Sequence, residues 1–353
     1  MSPSQEELEK ILRSVENPLT KKDIVSDGTL VSTACREDGS YELTLALPRD
    51  RRLQLTLDSQ IRLALSRANF KASGVHLKFV TNERQPKTQG PTPLEQKIRG
   101  VQYIVAIGSG KGGVGKSTVA VNLASMLSLM GKKTGILDAD IYGPSVGKML
   151  GLEGKQNVPV QENMIIPLSK HGLKIMSFSF LLEPEQAVIW RGPMLARAIQ
   201  QFLYDVAWQP LDFLIVDLPP GTGDAQLSLA QQVHSDGAIL VTTPQSVSLL
   251  DAGRALTMFS EVNIPVLGVI ENMSEFLCPH CRKSTHIFGE GGGAKLAKKA
   301  GVPLLGQIPL TIEVMESGEK GIPIVLKEKK GAVFSAYEQI AQKLVSVLKQ
   351  DGT

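Results

Sequence analysis

The stretch GSGKGGVGKST, Gly108 to Thr118, begins on the last two residues of the apolar run YIVAIGS. It holds the spacing G-x-x-x-x-G-K-S through Gly110, Gly115, Lys116 and Ser117. The chemistry requires a strand before this loop and a helix after it. Gly110, Gly112, Gly113 and Gly115 let consecutive backbone N–H groups, that of Val114 among them, turn inward around phosphate oxygens. The helix expected from Lys116, with Thr118 in its first turn, adds its positive N-terminal end. Lys116 is expected on the β- and γ-phosphates of a nucleotide, and the Ser117 hydroxyl on Mg2+.

Five further apolar runs follow: KTGILDA, FLIVDLP, GAILVTT, PVLGVIENM and PLLGQIP. Continuous apolar runs suit strands covered on both faces of a parallel sheet. With helical stretches between most of them, the expected fold is α/β, a doubly wound, mostly parallel sheet over residues 100–353. Ligands of such sheets bind at the carboxyl ends of the strands. A polar, proline-bearing linker is expected over 83–99. Before it, residues 1–82 predict a small α/β domain: helix over 4–16, strands TLVSTAC and YELTLAL around a turn at Glu37 to Ser40, helix over 58–69, and a last strand VHLKFV. The amphipathic tail from Ala332 to Lys349 reads as a core-packing helix.

The length of 353 residues fits about two domains. Thirty-eight basic against 35 acidic residues leave a net charge of +3, too small to argue for nucleic acid or an anionic membrane. Three cysteines do not make a disulfide scaffold. The polar N-terminus and the lack of a long apolar run point to a reducing cytoplasm.

Two acidic clusters join the loop. ILDAD puts Asp138 and Asp140 at a strand end, and LIVDLPPGTGD ends another strand with Asp217. An aspartate after such a run holds Mg2+ directly or through water. PPGTGD can then sense the γ-phosphate. Asp140 is expected to position or activate the attacking water, and Asp138 to have a structural or metal-shell role. Asn272, in GVIENMS, is expected at the end of a strand, where its amide pairs with adenine N6 and N7. Shortly after it comes CPHC, Cys278 to Cys281. Spacing alone leaves four roles open: a disulfide, a thiol redox pair, half a zinc site or half an iron–sulfur site.

The loop's KGGVGK resembles the deviant Walker A loop of the MinD/ParA-type P-loop ATPases. That resemblance implies that Lys111 reaches across a homodimer to the partner's nucleotide. LDADIYGPS, WRGPM, DLPPGTGDAQL, TTPQ, ENMS and CPHC followed by IFGEGGG occur in order. Together they resemble the Mrp/ApbC family of iron–sulfur cluster carriers, from about Val101 to Lys349. The resemblance implies slow ATP hydrolysis, a labile [4Fe-4S] cluster on Cys278 and Cys281, a donor scaffold and apo-protein recipients. Two thiolates cannot complete a site that wants four ligands, and a twofold axis would supply the second pair. Residues 6–80 resemble the small assembly-type domain often fused ahead of this family. That domain often carries a cysteine in a loop that here reads LPRDRRLQ; Cys35 lies on a strand instead and is expected to be a small buried residue. Two other functional classes are a positioning ATPase, which wants a membrane or DNA surface, and a zinc-stapled nucleotide switch.

Overall fold

Alternation of apolar and polar side chains in the first 80 residues gives a sheet covered on one face. The computed structural model describes residues 5–17, 22–35, 40–47, 51–68, 70, 75–80, 98–181, 192–281 and 283–350. Two compact units, 1–90 and 91–353, each hold a core of their own. The smaller unit runs α1 (Gln5–Leu12), β1 (Leu30–Cys35), β2 (Tyr41–Ala46), α2 (Arg51–Arg67) and β3 (Val75–Val80). Its sheet order is β1-β2-β3, with β1 antiparallel and β3 parallel to β2. Tyr41, Leu43 and Leu45 point inward onto Leu8, Leu12, Leu57, Ile61 and Leu65. The first helix is shorter than the sequence suggested, because after Leu12 the chain turns into a bridge between Glu16 and Asp23. The second begins earlier, at Arg51. The expected linker lies outside the described residues except at 98 and 99, as do Glu37 to Gly39, Trp190 and Arg191; the side chain of Cys35 is likewise not described.

The larger unit is organised around β4 (Val101–Gly108). It continues through α3 (Lys116–Leu129), β5 (Thr134–Asp138), α4 (Val146–Met149), β6 (Val160–Gln161), β7 (Met164–Ile165), β8 (Leu168–Lys170), β9 (Leu173–Ser177), α5 (Gly192–Tyr204), β10 (Leu211–Asp217), α6 (Asp224–Gln232), β11 (Gly237–Thr242), α7 (Ser246–Glu261), β12 (Val266–Leu277), β13 (Ser284–Thr285), α8 (Gly292–Ala300), β14 (Leu304–Leu310), α9 (Ile312–Glu319), α10 (Ile324–Lys327) and α11 (Ala332–Gln350). The nine-stranded sheet has the order β13-β12-β11-β4-β10-β5-β9-β8, with β14 also paired to β12. Pairings among β4, β5, β9, β10, β11, β12 and β14 are parallel, while β8 and β13 run antiparallel. The doubly wound α/β fold expected from the apolar runs is present. β9 escaped the sequence reading because LKIMS is short and carries a lysine. Parallel pairing places the ends of β4, β10 and β11 at one edge of the sheet, where β4 has β10 on one side and β11 on the other.

Two positions depart from expectation in ways that bear on the site. β5 ends at Asp138, so strand alternation does not extend to Asp140. Asn272 lies inside β12, which runs on to Leu277. Directly after it Met273 takes a left-handed φ of 55°, and the register with β14 slips between Asn272 and Phe276. A left-handed residue without glycine is a local irregularity the surrounding pairing must hold.

The glycine-rich start of α8 also has a packing explanation. A Cβ on Gly292 would lie 2.7 Å from the Pro244 carbonyl oxygen, and one on Gly293 2.8 Å from the Cβ of Glu271. Buried Glu271 accepts hydrogen bonds from Gly293 N–H and, at 2.6 Å, from Gln307 Nε2.

Candidate functional site

Gly108 closes β4, and the chain turns through Gly110 to Gly115 before α3 starts at Lys116. Only glycine fits at position 110: a Cβ there would sit 2.2 Å from the backbone carbon and oxygen of Asp251 on α7. Gly115 takes φ 79°, and a Cβ on it would meet Asn272 Nδ2 at 2.3 Å. The loop encloses a cavity of about 190 Å³ lined by Lys111 to Thr118, Ser109, Asp140, Ser145, Met149 and Pro220. Every loop residue named from the sequence except Gly110 lines it. Gly110 holds the turn against α7 instead. Lys111 is half-buried and makes no ion pair among the described residues. The PPGTGD segment is tied to the loop, with Gly221 N–H donating to Ser109 O at 2.9 Å.

Beneath the loop lies a buried charge cluster. Lys116 Nζ is 2.7 Å from Asp217 Oδ1 and 3.3 Å from Ser117 Oγ. Asp217 is wholly buried, and its Oδ2 has no hydrogen-bond partner. A buried carboxylate oxygen without a partner costs free energy unless a cation or water meets it. That orphaned oxygen, with the Ser117 hydroxyl close by, fits Mg2+, an oxygen-seeking ion that binds through few protein groups and phosphates. Asp138 is different. Its Oδ1 accepts from Asp140 N–H at 3.2 Å, and its Oδ2 from Val146 N–H at 3.1 Å and Ser177 Oγ at 3.0 Å. Those bonds tie the end of β5 to α4 and β9. Burial pushes the Asp138 carboxyl up to about 7, with the charge of Asp217 adding to the rise. Asp140 faces the loop cavity and accepts from Gly143 N–H at 3.2 Å. Burial raises its carboxyl above the usual range, against the pull of Lys116 and with Asp217 adding.

A second cavity, of about 380 Å³, shares Gly115, Thr118, Ser145 and Met149 with the first. Its far wall is Pro309 to Thr311 with Val314 and Met315 on α9, and Asn272 and Met273 complete it. Its size and apolar wall suit a flat heterocycle. Asn272 is buried there, and its Nδ2 donates to Val114 O at 2.9 Å.

The two thiols sit on a hairpin. Phe276 and Leu277 of β12 pair with Thr285 and Ser284 of β13, and Cys278 N–H donates to Lys283 O at 3.1 Å. Cys278 and Cys281 are free, the first half-buried and the second exposed. Backbone N–H groups of Cys281 and His280 point at the Cys278 sulfur, and the Cys281 side chain adds to them, so its thiol is held below the ordinary range. This favours the thiolate, the form that binds metal. No group of three or more His, Cys, Asp or Glu that could hold a metal ion occurs among the described residues. His286 Nδ1 is 3.1 Å from Ser274 O.

A family model described as NUBPL iron-transfer P-loop NTPase, of the ParA group, matches residues 100–345. The chain belongs to this family. An iron–sulfur cluster carrier protein of Synechocystis sp. is 45% identical over 339 residues, spanning 95% of each chain. One of Haemophilus influenzae is 39% identical over 352 residues, 99% of this chain and 93% of that one. Among solved structures, a nucleotide-binding protein of Archaeoglobus fulgidus in complex with ADP is 38% identical and covers 69% of this chain and 96% of its own, with a TM-score of 0.60. The cell division ATPase MinD of Pyrococcus furiosus, 22% identical with a TM-score of 0.54, shares the fold. The family expected from the sequence motifs is thus borne out. No helix among the described residues is long and apolar enough to cross a membrane.

The structure gathers Lys111 to Thr118, Asp140 and Asp217 at one strand edge, with Asn272 at the neighbouring cavity. Cys278 and Cys281 stand apart on their hairpin. Sequence reasoning missed the wall from Pro309 to Met315. Its signal was available: it follows the carboxyl end of the run PLLGQIP, where ligands of such sheets bind.

Proposed function

We propose that this protein binds and hydrolyses ATP and carries a labile iron–sulfur cluster for transfer to apo-proteins, the cluster bridged between two copies of the chain. The observation that carries the reading is the hairpin tip. It presents two thiols, one with N–H groups aimed at its sulfur, and no third ligand from the same chain among the described residues. A second copy supplies the missing pair.

In this reading the amides of Gly112 to Gly115 and Lys116 cradle the phosphates, with Ser117 and Thr118 at the start of α3. Lys111 of each copy meets the phosphates of the other. Ser117 and Asp217 would hold Mg2+, which spreads the charge of the phosphates. Asp140 orients the water that attacks. The cavity beside Asn272 takes the adenine, in keeping with ADP on the Archaeoglobus relative. Nucleotide and cluster sites lie on one unit, so ATP can change how firmly the cluster is held, and the cluster must change ATP affinity by the same factor. A cluster scaffold would load the carrier.

Anaerobic reconstitution with iron and sulfide tests this, alongside a Cys278→Ala/Cys281→Ala double variant. About four iron and four labile sulfide per dimer are expected for the wild type, with none in the variant. Tight zinc and no iron would replace the reading with a zinc-stapled nucleotide switch.

A further inference from the structure

One buried side chain belongs to both halves of the molecule's chemistry. Asn272 donates from Nδ2 to Val114 O, 2.9 Å away inside the phosphate loop. The approach is so close that only a glycine at 115 leaves room for it. The Val114 carbonyl and the Gly115 N–H belong to one trans peptide unit, so they point in opposite directions. Fixing the carbonyl against β12 therefore fixes the direction of that N–H. The same β12 runs on, through the left-handed Met273, to the hairpin that holds Cys278. Six positions separate Asn272 from Cys278, roughly 20 Å of extended chain. Between them the register with β14 slips, so this part of the strand is not locked to its neighbour residue for residue.

We propose that Asn272 is a positioning residue that couples the two sites: its amide holds the Gly115 N–H toward phosphate, and movement of the loop on nucleotide binding passes through it along β12 to the cysteine hairpin. The inference rests on the reading that ATP and a cluster bind these sites, and it assigns the link between them. The irregular backbone at Met273 is where the strand yields, and the paired residues Phe276 and Leu277 carry the displacement to the thiols.

The test uses the metal-free full-length chain, so that it does not depend on cluster assembly. The labelling rate of the peptide bearing Cys278 and Cys281 by iodoacetamide is measured with and without saturating Mg2+ and a non-hydrolysable ATP analogue. In the wild type the analogue is expected to change the rate severalfold. In Asn272→Ala the analogue binds about tenfold more weakly, because the Val114 carbonyl loses its donor. At saturation its effect on the thiols disappears. A merely structural role would leave that effect in place. Asn272→Asp keeps the size but cannot donate, and is expected to behave alike should the alanine variant not fold. A full nucleotide response in either folded variant overturns the proposal. So does a wild type that binds the analogue with no change at the thiols. A wild type that shows the response yet assembles no iron and sulfide would sink the carrier reading and support the coupling.

Discussion

Lys116 Nζ lies 2.7 Å from Asp217 Oδ1, with the two side chains 5% and 0% exposed. Two buried charges so placed are stable only as a pair, since each alone would be desolvated without compensation. In the protein without nucleotide the lysine thus neutralises the carboxylate of Asp217 and pulls the Asp138 carboxyl downward against its burial. Lys116→Ala should destabilise the larger unit by about 3–5 kcal/mol as well as remove phosphate binding. Urea unfolding followed by a probe in that unit measures this. A variant as stable as the wild type would show that the pair contributes nothing to folding.

The acid cluster makes stability depend on pH. The Asp138 carboxyl, at 3.8 when unperturbed, is raised to about 7 in the folded protein. Between these values the folded state keeps a proton that the unfolded state has lost. The unfolded state therefore gains relatively as pH rises, and stability should fall from about pH 4 to about pH 7, then level off. The raised carboxyl of Asp140 acts in the same direction. Melting temperature against pH for the nucleotide-free protein reads this out. Carboxyl NMR showing Asp138 titrating in the ordinary range would remove the basis of the slope.

Two glycines two positions apart should respond differently to a methyl group. Gly110→Ala pushes a Cβ into the backbone of Asp251, whereas at Gly112 nothing lies within 4 Å. Gly110→Ala is expected to cost about 1–3 kcal/mol of stability, the usual range for overpacking. Gly112→Ala should melt with the wild type. Equal melting temperatures for both would contradict the packing of the loop on α7.

Much of this site was readable in the sequence because the chemistry sets spacing locally. The loop glycines, Lys116 and Ser117 are fixed by one turn and one helix start, and Asp217 by the end of an apolar run. Asn272 was harder. Its neighbours Glu271, Ser274 and Glu275 look like the polar end of a strand. In fact β12 continues, because Glu271 is buried on partners distant in sequence, Gly293 and Gln307. The hairpin that positions Cys278 was also invisible, since a two-residue strand at Ser284 and Thr285 leaves no periodic pattern.

The Cys278 sulfur should be unusually reactive. N–H groups from Cys281 and His280 favour its thiolate, so its alkylation rate should reach half-maximum at a lower pH than an ordinary thiol. His280→Pro deletes one of those N–H groups and should move the midpoint up. Peptide-resolved alkylation across pH follows both. An unchanged midpoint in the proline variant would dismiss the His280 amide as a cause.

Lys111 carries the dimer part of the proposed function. Lys111→Ala should lower ATP hydrolysis by at least about a hundredfold, the loss typical of one removed charge-stabilising donor. Cluster assembly on Cys278 and Cys281 should be untouched. Hydrolysis and cluster delivery at wild-type rates would refute a role for this lysine across the dimer.

The entry to α8 has the composition of a second phosphate-binding loop: Gly289 and Gly291 precede the helix, and Gly292 and Gly293 begin it. The carboxylate of Glu271 already occupies the Gly293 amide. An internal acceptor is thus resident where an external anion would dock, and its concentration is fixed by the fold. Among the described residues no carboxylate accepts from the amides of Gly112 to Gly115, so inorganic phosphate or pyrophosphate would meet no covalently attached rival there. At α8 it would have to displace one.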